Sequence, residues 1–203
     1  MLQRKNKFEK SLSIFRKLGG MVRATEAIRS GIHPRSLYEM QAKGVIEKLS
    51  RGLYRLTELP PLGEPDIVSV CKRVPNGVIC LISALAFHEI TTQVPHEVYL
   101  AVARNAMVPR IDYPPVRVFR FSDHSYSEGI GLQKVDDITI HVYSPAKTLA
   151  DCFKYRNKIG LEIAVEALKR YRESKLFSVE EILYFARICR VEKVMRPYLE
   201  ALL

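Results

Sequence analysis

The chain has 203 residues and is 47% hydrophobic, which is typical of a folded protein with one large domain or two smaller ones and excludes a disordered chain. It contains no run of about 18 apolar residues, so no membrane-spanning helix is predicted. The charged N-terminus lacks the apolar core of a secretory signal. We therefore expect a cytoplasmic protein. The 4 cysteines form no C-x-x-C pair, which indicates buried free thiols and not a zinc or redox site.

The positive charge is concentrated in the first third of the chain. Residues 1–62 hold 13 Lys and Arg against 5 Asp and Glu, a net charge of +8, and the remaining residues add only +2. A concentrated positive field attracts polyanions and releases their counterions on binding. The charge pattern therefore favours nucleic acid or anionic lipid as a partner of the N-terminal part.

A proline-rich segment, TELPPLGEPD at residues 57–66, separates this basic part from the rest. Proline and glycine interrupt helices and central strands, and the charge balance changes across the segment. The sequence predicts a small first domain over residues 1–58, a linker over residues 59–66, and a larger domain over residues 67–203.

Two helices are predicted at the start of the basic part. Apolar residues recur every three or four positions, which places them on one helix face that Gly19–Gly20 closes: Phe8, Leu12, Phe15 and Leu18. A second, shorter helix is expected over TEAIRSG, with Ala27 and Ile28 directed inward.

A third helix and a hairpin follow. Pro34 suits the first position of a helix, which we expect to run to Lys43 and stop at Gly44. VIEKL and GLYRL are then two short strands joined by the turn Ser50–Gly52. Helices, a tight turn, a further helix and a basic hairpin are the order of a winged helix-turn-helix domain.

The third helix has two different faces. At 100° per residue, Leu37 and Met40 lie on one side, and four residues lie opposite: Arg35, Tyr38, Glu39 and Ala42. Arg can bind guanine and Ala can contact a thymine methyl, so this face fits a major groove. The alternative interpretation is an ordinary solvated helix surface.

The predicted DNA-binding residues form one group: Arg23, Arg35, Ser36, Tyr38, Glu39, Lys43, Lys48, Arg51 and Arg55. Arg51 at the hairpin turn is expected to reach a minor groove or a flanking phosphate. The other basic residues and the Ser36 hydroxyl are candidates for phosphate contacts. Glu39 either accepts from a cytosine amino group or pairs with Arg35 or Lys43.

The larger domain is predicted to be α+β. A buried helix is expected over Ser83–Ile90, strands over Val98–Arg104 and Val116–Phe121, and a hairpin of two strands around Asp136–Asp137. A run of helices follows, one of them capped by Ser178 with Glu181. Strands first and helices afterwards predict a mainly antiparallel sheet with helices on one face.

No catalytic constellation is found, and no cofactor or metal ligand set is predicted. His88–Glu89 is not the start of H-E-x-x-H, because Thr92 occupies the place of the second His. Asp151 is the most suggestive carboxylate, since it lies near Lys147 and Lys154 in an apolar segment. It is interpreted as one partner of an ion pair, on the helix surface or buried.

Three sequence blocks resemble the AbiEi family of antitoxins and autorepressors of type IV, or abortive-infection, toxin–antitoxin systems: GGMVRATEAIRSGIHPRSLYEMQAKGVIEKLSRGLYRL, ICLISALAFHEITTQVPHEVYLAV and VYSPAKTLADCFKYRNKIGLEIAVEAL. The resemblance implies a winged helix that binds promoter repeats on double-stranded DNA through Arg35, Ser36, Tyr38 and the hairpin around Lys48 and Arg51. It also implies a C-terminal domain that counteracts a nucleotidyltransferase-like toxin, without enzymatic activity of its own.

Two other functions stay open at this point. One is an enzyme that acts on nucleic acid or nucleotides and is targeted by the winged helix. The other is a transcription regulator whose larger domain senses a ligand. The sequence also leaves open whether the protein is a monomer or a dimer.

Overall fold

The computed structural model describes residues 2–135 and 138–202, with side chains from Phe8 onward. The chain forms two compact units. The first comprises Met1–Arg73 with Pro109–Pro114, and the second comprises Val74–Val108 with Pro115–Leu203. Residues 67–73, which the sequence placed in the larger domain, therefore lie in the first unit.

The first unit contains four helices and a small sheet: α1 (Leu2–Lys17), β1 (Met21–Arg23), α2 (Ala24–Arg29), α3 (Pro34–Ala42), β2 (Ile46–Ser50), β3 (Leu53–Leu56) and α4 (Pro65–Arg73). The sheet has the order β1-β3-β2, and both of its strand pairs are antiparallel. The three helices and the hairpin of strands thus follow one another along the chain as the sequence predicts.

Apolar residues from every one of the first six elements form the core of this unit. Phe15 of α1 and Met40 of α3 are completely buried and pack with residues of the sheet and of α2: Val22, Ala27, Ile46 and Leu56. Ile28 differs from expectation, because it is 45% exposed. Only Ala27 of this six-residue helix enters the core, since a helix of under two turns offers a narrow buried face.

The second unit is built on a five-stranded sheet: β4 (Val78–Ile79), β5 (Val98–Ala103), β6 (Val116–Phe121), β7 (Ile130–Val135) and β8 (Ile138–Tyr143). Its order is β6-β5-β4-β8-β7. β5 and β6 pair in parallel, as do β4 and β8, whereas β4–β5 and β7–β8 are antiparallel. The expected mainly antiparallel sheet is wrong: the sheet is mixed, because the chain crosses over between β5 and β6 and then passes from one edge of the sheet to the other before β7.

The hairpin predicted from the alternating pattern is present in β7 and β8, which pair from Ile130–Tyr143 to Val135–Ile138. The turn that the sequence predicts at Asp136–Asp137 lies outside the described residues. The helix expected over Ser83–Ile90 is α5 (Leu81–Phe87), and β4 precedes it. The apolar run from Val78 is therefore divided between a short strand and a helix.

The remaining helices are α6 (Asp123–Ser127), α7 (Pro145–Lys154), α8 (Arg156–Ile159), α9 (Leu161–Arg172), α10 (Val179–Ile188) and α11 (Glu192–Glu200). Ser178 caps α10, since its hydroxyl accepts the N–H of Glu181 at 3.2 Å, as predicted. The completely buried α7 residues Leu149 and Phe153 pack with the sheet and the later helices. In the described part of the chain, no helix is both long and apolar enough to cross a membrane.

Candidate nucleic-acid interface

The residues at the two ends of α3 determine where this helix begins and stops. His33 is the N-cap residue in an extended conformation, and its Nδ1 accepts the Arg35 N–H at 3.2 Å. Pro34 occupies the first turn, where its missing N–H is not needed. At the other end Gly44 adopts a φ of +68°, a left-handed conformation that glycine tolerates. The helix ends predicted from proline and glycine are thus confirmed to within about one residue.

The two faces of α3 are separated as the helical period predicts. Leu37 and Met40 are buried in the core, whereas the Arg35 side chain is 76% exposed and Tyr38 is 68% exposed. Ala42 is exposed as well. A large aromatic residue and a guanidinium at the surface, with a small residue one turn further on, give this face donors and an apolar contact for base edges.

Glu39 pairs with Arg35 on this exposed face. Arg35 Nε lies 3.4 Å from Glu39 Oε1, and both side chains are at least half exposed. An exposed pair of this spacing contributes only about 0.3–0.5 kcal/mol. A base or phosphate can therefore replace the carboxylate as the partner of Arg35 at little cost.

Two of the predicted contact residues are turned away from the surface. Ser36 is buried, and its backbone N–H donates to the His33 carbonyl at 2.8 Å. Arg55 is 5% exposed; its Nη1 donates to Glu47 Oε1 at 2.9 Å, and its Nη2 donates to the Pro60 carbonyl. Neither side chain is placed where a phosphate could reach it, so we do not carry them into the proposed interface.

The hairpin presents two of the predicted cations. Arg51 lies in the turn between β2 and β3, its side chain is 80% exposed, and its Nη1 is 3.8 Å from Asp112 Oδ2. Lys48 of β2 is exposed and lies opposite Tyr54 of β3. Gly52 follows Arg51 with a φ of +73° and permits the tight turn.

Arg23 and Lys43 each contact another residue of the first unit. Arg23 is half-buried, and its Nη2 donates to the carbonyl of Arg73 at 3.2 Å. Lys43 is exposed, with its Nζ 4.3 Å from the centre of the Phe8 ring. The freely presented side chains are therefore Arg35, Tyr38, Lys43, Lys48 and Arg51. Sequence reasoning missed Asp112, because no local pattern links it to the hairpin.

The second unit offers no comparable reactive arrangement in its described residues. Lys147 Nζ and Asp151 Oδ2 are 2.5 Å apart, and both side chains are completely buried. The Cys189 thiol donates to the other Asp151 oxygen at 3.2 Å. Burial raises the pKa of Asp151, and Lys147 opposes that rise. Of the two interpretations of Asp151, the buried structural pair is the one observed, and burial keeps substrate from the carboxylate.

Over residues 2–135 and 138–202, no three His, Cys, Asp or Glu side chains are grouped as a metal site. Residues 9–57 match the family model described as a transcriptional regulator, AbiEi antitoxin. No curated protein matches the chain.

Among solved structures, the RV2827C protein from Mycobacterium tuberculosis is similar at a TM-score of 0.58 and 12% identity, over 94% of this chain and 79% of that one. At this identity the likeness shows a shared mixed α and β fold. The family match covers the helices α2 and α3, the hairpin and most of α1.

Proposed function

We propose that the first unit is a winged helix that binds promoter DNA and represses its own operon, because residues 9–57 match the family model described as a transcriptional regulator, AbiEi antitoxin. One observation carries this proposal: α3 buries its apolar side and exposes Arg35 and Tyr38, next in the chain to a hairpin with exposed Lys48 and Arg51. The concentration of net charge in the same residues supports it.

In this proposal α3 enters the major groove and the hairpin lies along the flanking backbone. Arg35 leaves Glu39 and binds the N7 and O6 of guanine, and Tyr38 contacts a neighbouring base or phosphate. Glu39 is then released to accept from a cytosine amino group. Lys43, Lys48 and Arg51 neutralise phosphates, and the promoter repeats place two copies on successive half-sites.

We also propose that the second unit counteracts a nucleotidyltransferase-like toxin, and that it does so by binding or regulation and not by catalysis. The antitoxin description of the family matched at residues 9–57 supports a toxin-counteracting role for the chain, and the second unit is the part to which DNA binding assigns no role. The burial of Asp151 against Lys147 supports the second part, because the most suggestive carboxylate is held away from solvent.

DNA binding is tested by fluorescence anisotropy with the duplex upstream of the gene, at several salt concentrations. If Lys43, Lys48 and Arg51 each neutralise one phosphate, log K against log salt falls with a slope of about −2.7, at about −0.9 per phosphate. Arg35→Ala should cost about 1–3 kcal/mol on the cognate duplex and little on a scrambled one, since the contact is to a base.

Arg196→Ala is the matched control. Arg196 is exposed and pairs with Glu192 four residues away, as Arg35 pairs with Glu39, but it lies outside the family match. Equal losses for the two variants, or no preference for the upstream duplex, would contradict base reading by α3. Co-expression with a neighbouring toxin gene, with and without the second unit's α11, tests the antitoxin role through cell growth.

A further inference from the structure

Four separated parts of the chain bring four arginines together at the turn of the hairpin. We name them the arginine cluster: Arg23, Arg51, Arg73 and Arg110. Arg23 Nη2 donates to the Arg73 carbonyl at 3.2 Å, and Arg73 Nη2 donates to the Arg110 carbonyl at 2.8 Å. These two bonds attach the segment Pro109–Pro114 to the first unit through the last residue of α4.

Among the described residues, Asp112 is the carboxylate that pairs with arginines of the cluster. Asp112 Oδ1 accepts from Arg110 Nε at 3.0 Å, and Asp112 Oδ2 is 3.8 Å from Arg51 Nη1. The two outer arginines are strongly exposed, with 80% of the Arg51 side chain and 90% of the Arg110 side chain in solvent. Asp112 thus holds two exposed cations side by side.

Arg73 shows that the positive charge is incompletely compensated. It is 9% exposed, and its Nη1 has no hydrogen-bond partner among the described residues. Burial together with nearby Arg23 and Arg51 lowers the pKa of Arg73, while Asp112 acts in the opposite direction. Cations held this close repel one another, so an added anion stabilises the arrangement.

We propose that the arginine cluster is a second DNA contact, in which Arg51 and Arg110 together bind backbone phosphate of the duplex that α3 reads. Asp112 is an internal counterion that phosphate replaces. Arg23 and Arg73 are positioning residues, because they hold Pro109–Pro114 against the unit without being exposed themselves. This inference rests on the proposed function and extends the interface to residues beyond the family match at 9–57.

A duplex backbone suits the cluster better than a single small anion. Two exposed guanidinium groups bridged by one carboxylate present several N–H donors side by side, and Arg pairs with phosphate in a bidentate geometry. The same unit exposes Arg35 and Tyr38 on α3. A second group of cations in that unit fixes orientation on DNA without reading sequence.

The test is a salt series of DNA binding by the full chain, followed by anisotropy with the upstream duplex. Arg110→Ala should reduce the magnitude of the salt slope by about 0.9 and weaken binding about fivefold at physiological salt, equally for cognate and scrambled duplexes. Arg110→Lys should keep most of the slope, because the charge is retained. Asp112→Asn should tighten binding about two- to fivefold, because the competing carboxylate is removed.

Arg16→Ala is the matched control. Arg16 is an exposed arginine of the same unit, and it pairs with Glu58 at 2.9 Å. Glu58 follows the last residue of β3, whereas Arg51 precedes the first, so the Arg16–Glu58 pair is at the other end of this strand. Arg16→Ala should leave the slope unchanged. Thermal melting of each variant confirms that the fold is retained.

The outcomes separate the two proposals. If the wild-type chain binds DNA but Arg110→Ala keeps the wild-type slope, or Arg16→Ala lowers it equally, the arginine cluster is not a contact and the proposed function stands. Weaker binding by Asp112→Asn would also overturn the role of Asp112 as a displaced counterion. If the wild-type chain binds no DNA at all, both proposals fall.

Discussion

Replacing Lys147 by Met tests the buried pair at the centre of the second unit. The Lys147 Nζ lies 2.5 Å from Asp151 and 4.1 Å from the centre of the Tyr143 ring, with no solvent exposure. Methionine keeps a similar length and stays in contact with the ring, so the change removes the charge with little loss of packing. Asp151 is then buried without a cation, and the folded protein must protonate it.

The cost follows from the proton equilibrium. The ordinary pKa of Asp, about 3.9, lies about 3 units below pH 7. Protonating the carboxylate at pH 7 therefore costs about 4 kcal/mol, at about 1.36 kcal/mol per unit. This agrees with the range of about 3–5 kcal/mol for breaking a buried pair. The thiol of Cys189, which donates to Asp151 at 3.2 Å, reduces the cost by about 1 kcal/mol.

The pH dependence identifies the mechanism. In Lys147→Met the folded-state pKa of Asp151 lies above its unfolded value, so the destabilisation is present above the unfolded pKa and shrinks as pH falls. The cost of protonating Asp151 in the variant should decrease from about 4 kcal/mol at pH 7 to about 1.5 kcal/mol at pH 5. Urea unfolding of wild type and variant at pH 7 and pH 5, followed by circular dichroism, gives both differences.

The double variant Lys147→Met with Asp151→Leu is the control, because it buries no charge and should be within about 1–2 kcal/mol of wild type or more stable. The reasoning would be refuted if the stability loss of the double variant equalled the sum of the losses of Lys147→Met and Asp151→Leu measured singly. It would also be refuted if Lys147→Met cost the same free energy of unfolding at both pH values.

Three further predictions concern single side chains. Burial lowers the pKa of His88, and its Nε2–H donates to the Tyr143 carbonyl at 2.7 Å. The wild-type chain should therefore lose more stability in urea unfolding than His88→Gln as the pH falls from 7.5 to 5.5. Equal losses for the two proteins would contradict this. Ser178→Ala removes the N-cap of α10 and should cost about 1 kcal/mol in urea unfolding; an unchanged midpoint would rule out a stabilising cap. Tyr38→Ala should leave unfolding within about 0.5 kcal/mol of wild type but weaken DNA binding measured by anisotropy, because the side chain is exposed; a large stability loss would show that Tyr38 has a packing role.

The sequence predicts α3 well because its determinants are local. Pro34 and Gly44 set the ends, and the helical period alone separates Leu37 and Met40 from Arg35. All of these signals lie within about three turns of one helix, so no tertiary information is needed.

Arg55 shows where local reasoning fails. A charged residue in a short basic hairpin is expected at the surface, but β3 is the central strand of its sheet, and Glu47 lies directly opposite Arg55. The cross-strand carboxylate and the Pro60 carbonyl therefore hold the guanidinium inside. The register of β2 and β3 was the only signal that could have indicated this, and it follows from tertiary pairing.

The mixed sheet and the segment Pro109–Pro114 depend on contacts between distant parts of the chain. The direction in which β6 pairs with β5 depends on the path of the connection between them, which composition does not reveal. Arg110 and Asp112 lie in a connection between two strands of the second unit and yet pack in the first unit. No periodic pattern marks such a segment.

Oxidative footprinting of tyrosines tests the central claim most directly, since it reports whether the exposed face of α3 is covered by DNA. Tyr38 is 68% exposed, and Tyr184 of the second unit, at 49%, serves as the internal reference. With saturating upstream duplex, hydroxyl-radical oxidation of Tyr38 should fall several-fold while that of Tyr184 stays constant. Oxidation of Tyr38 at an unchanged rate, with the duplex fully bound, would contradict the account.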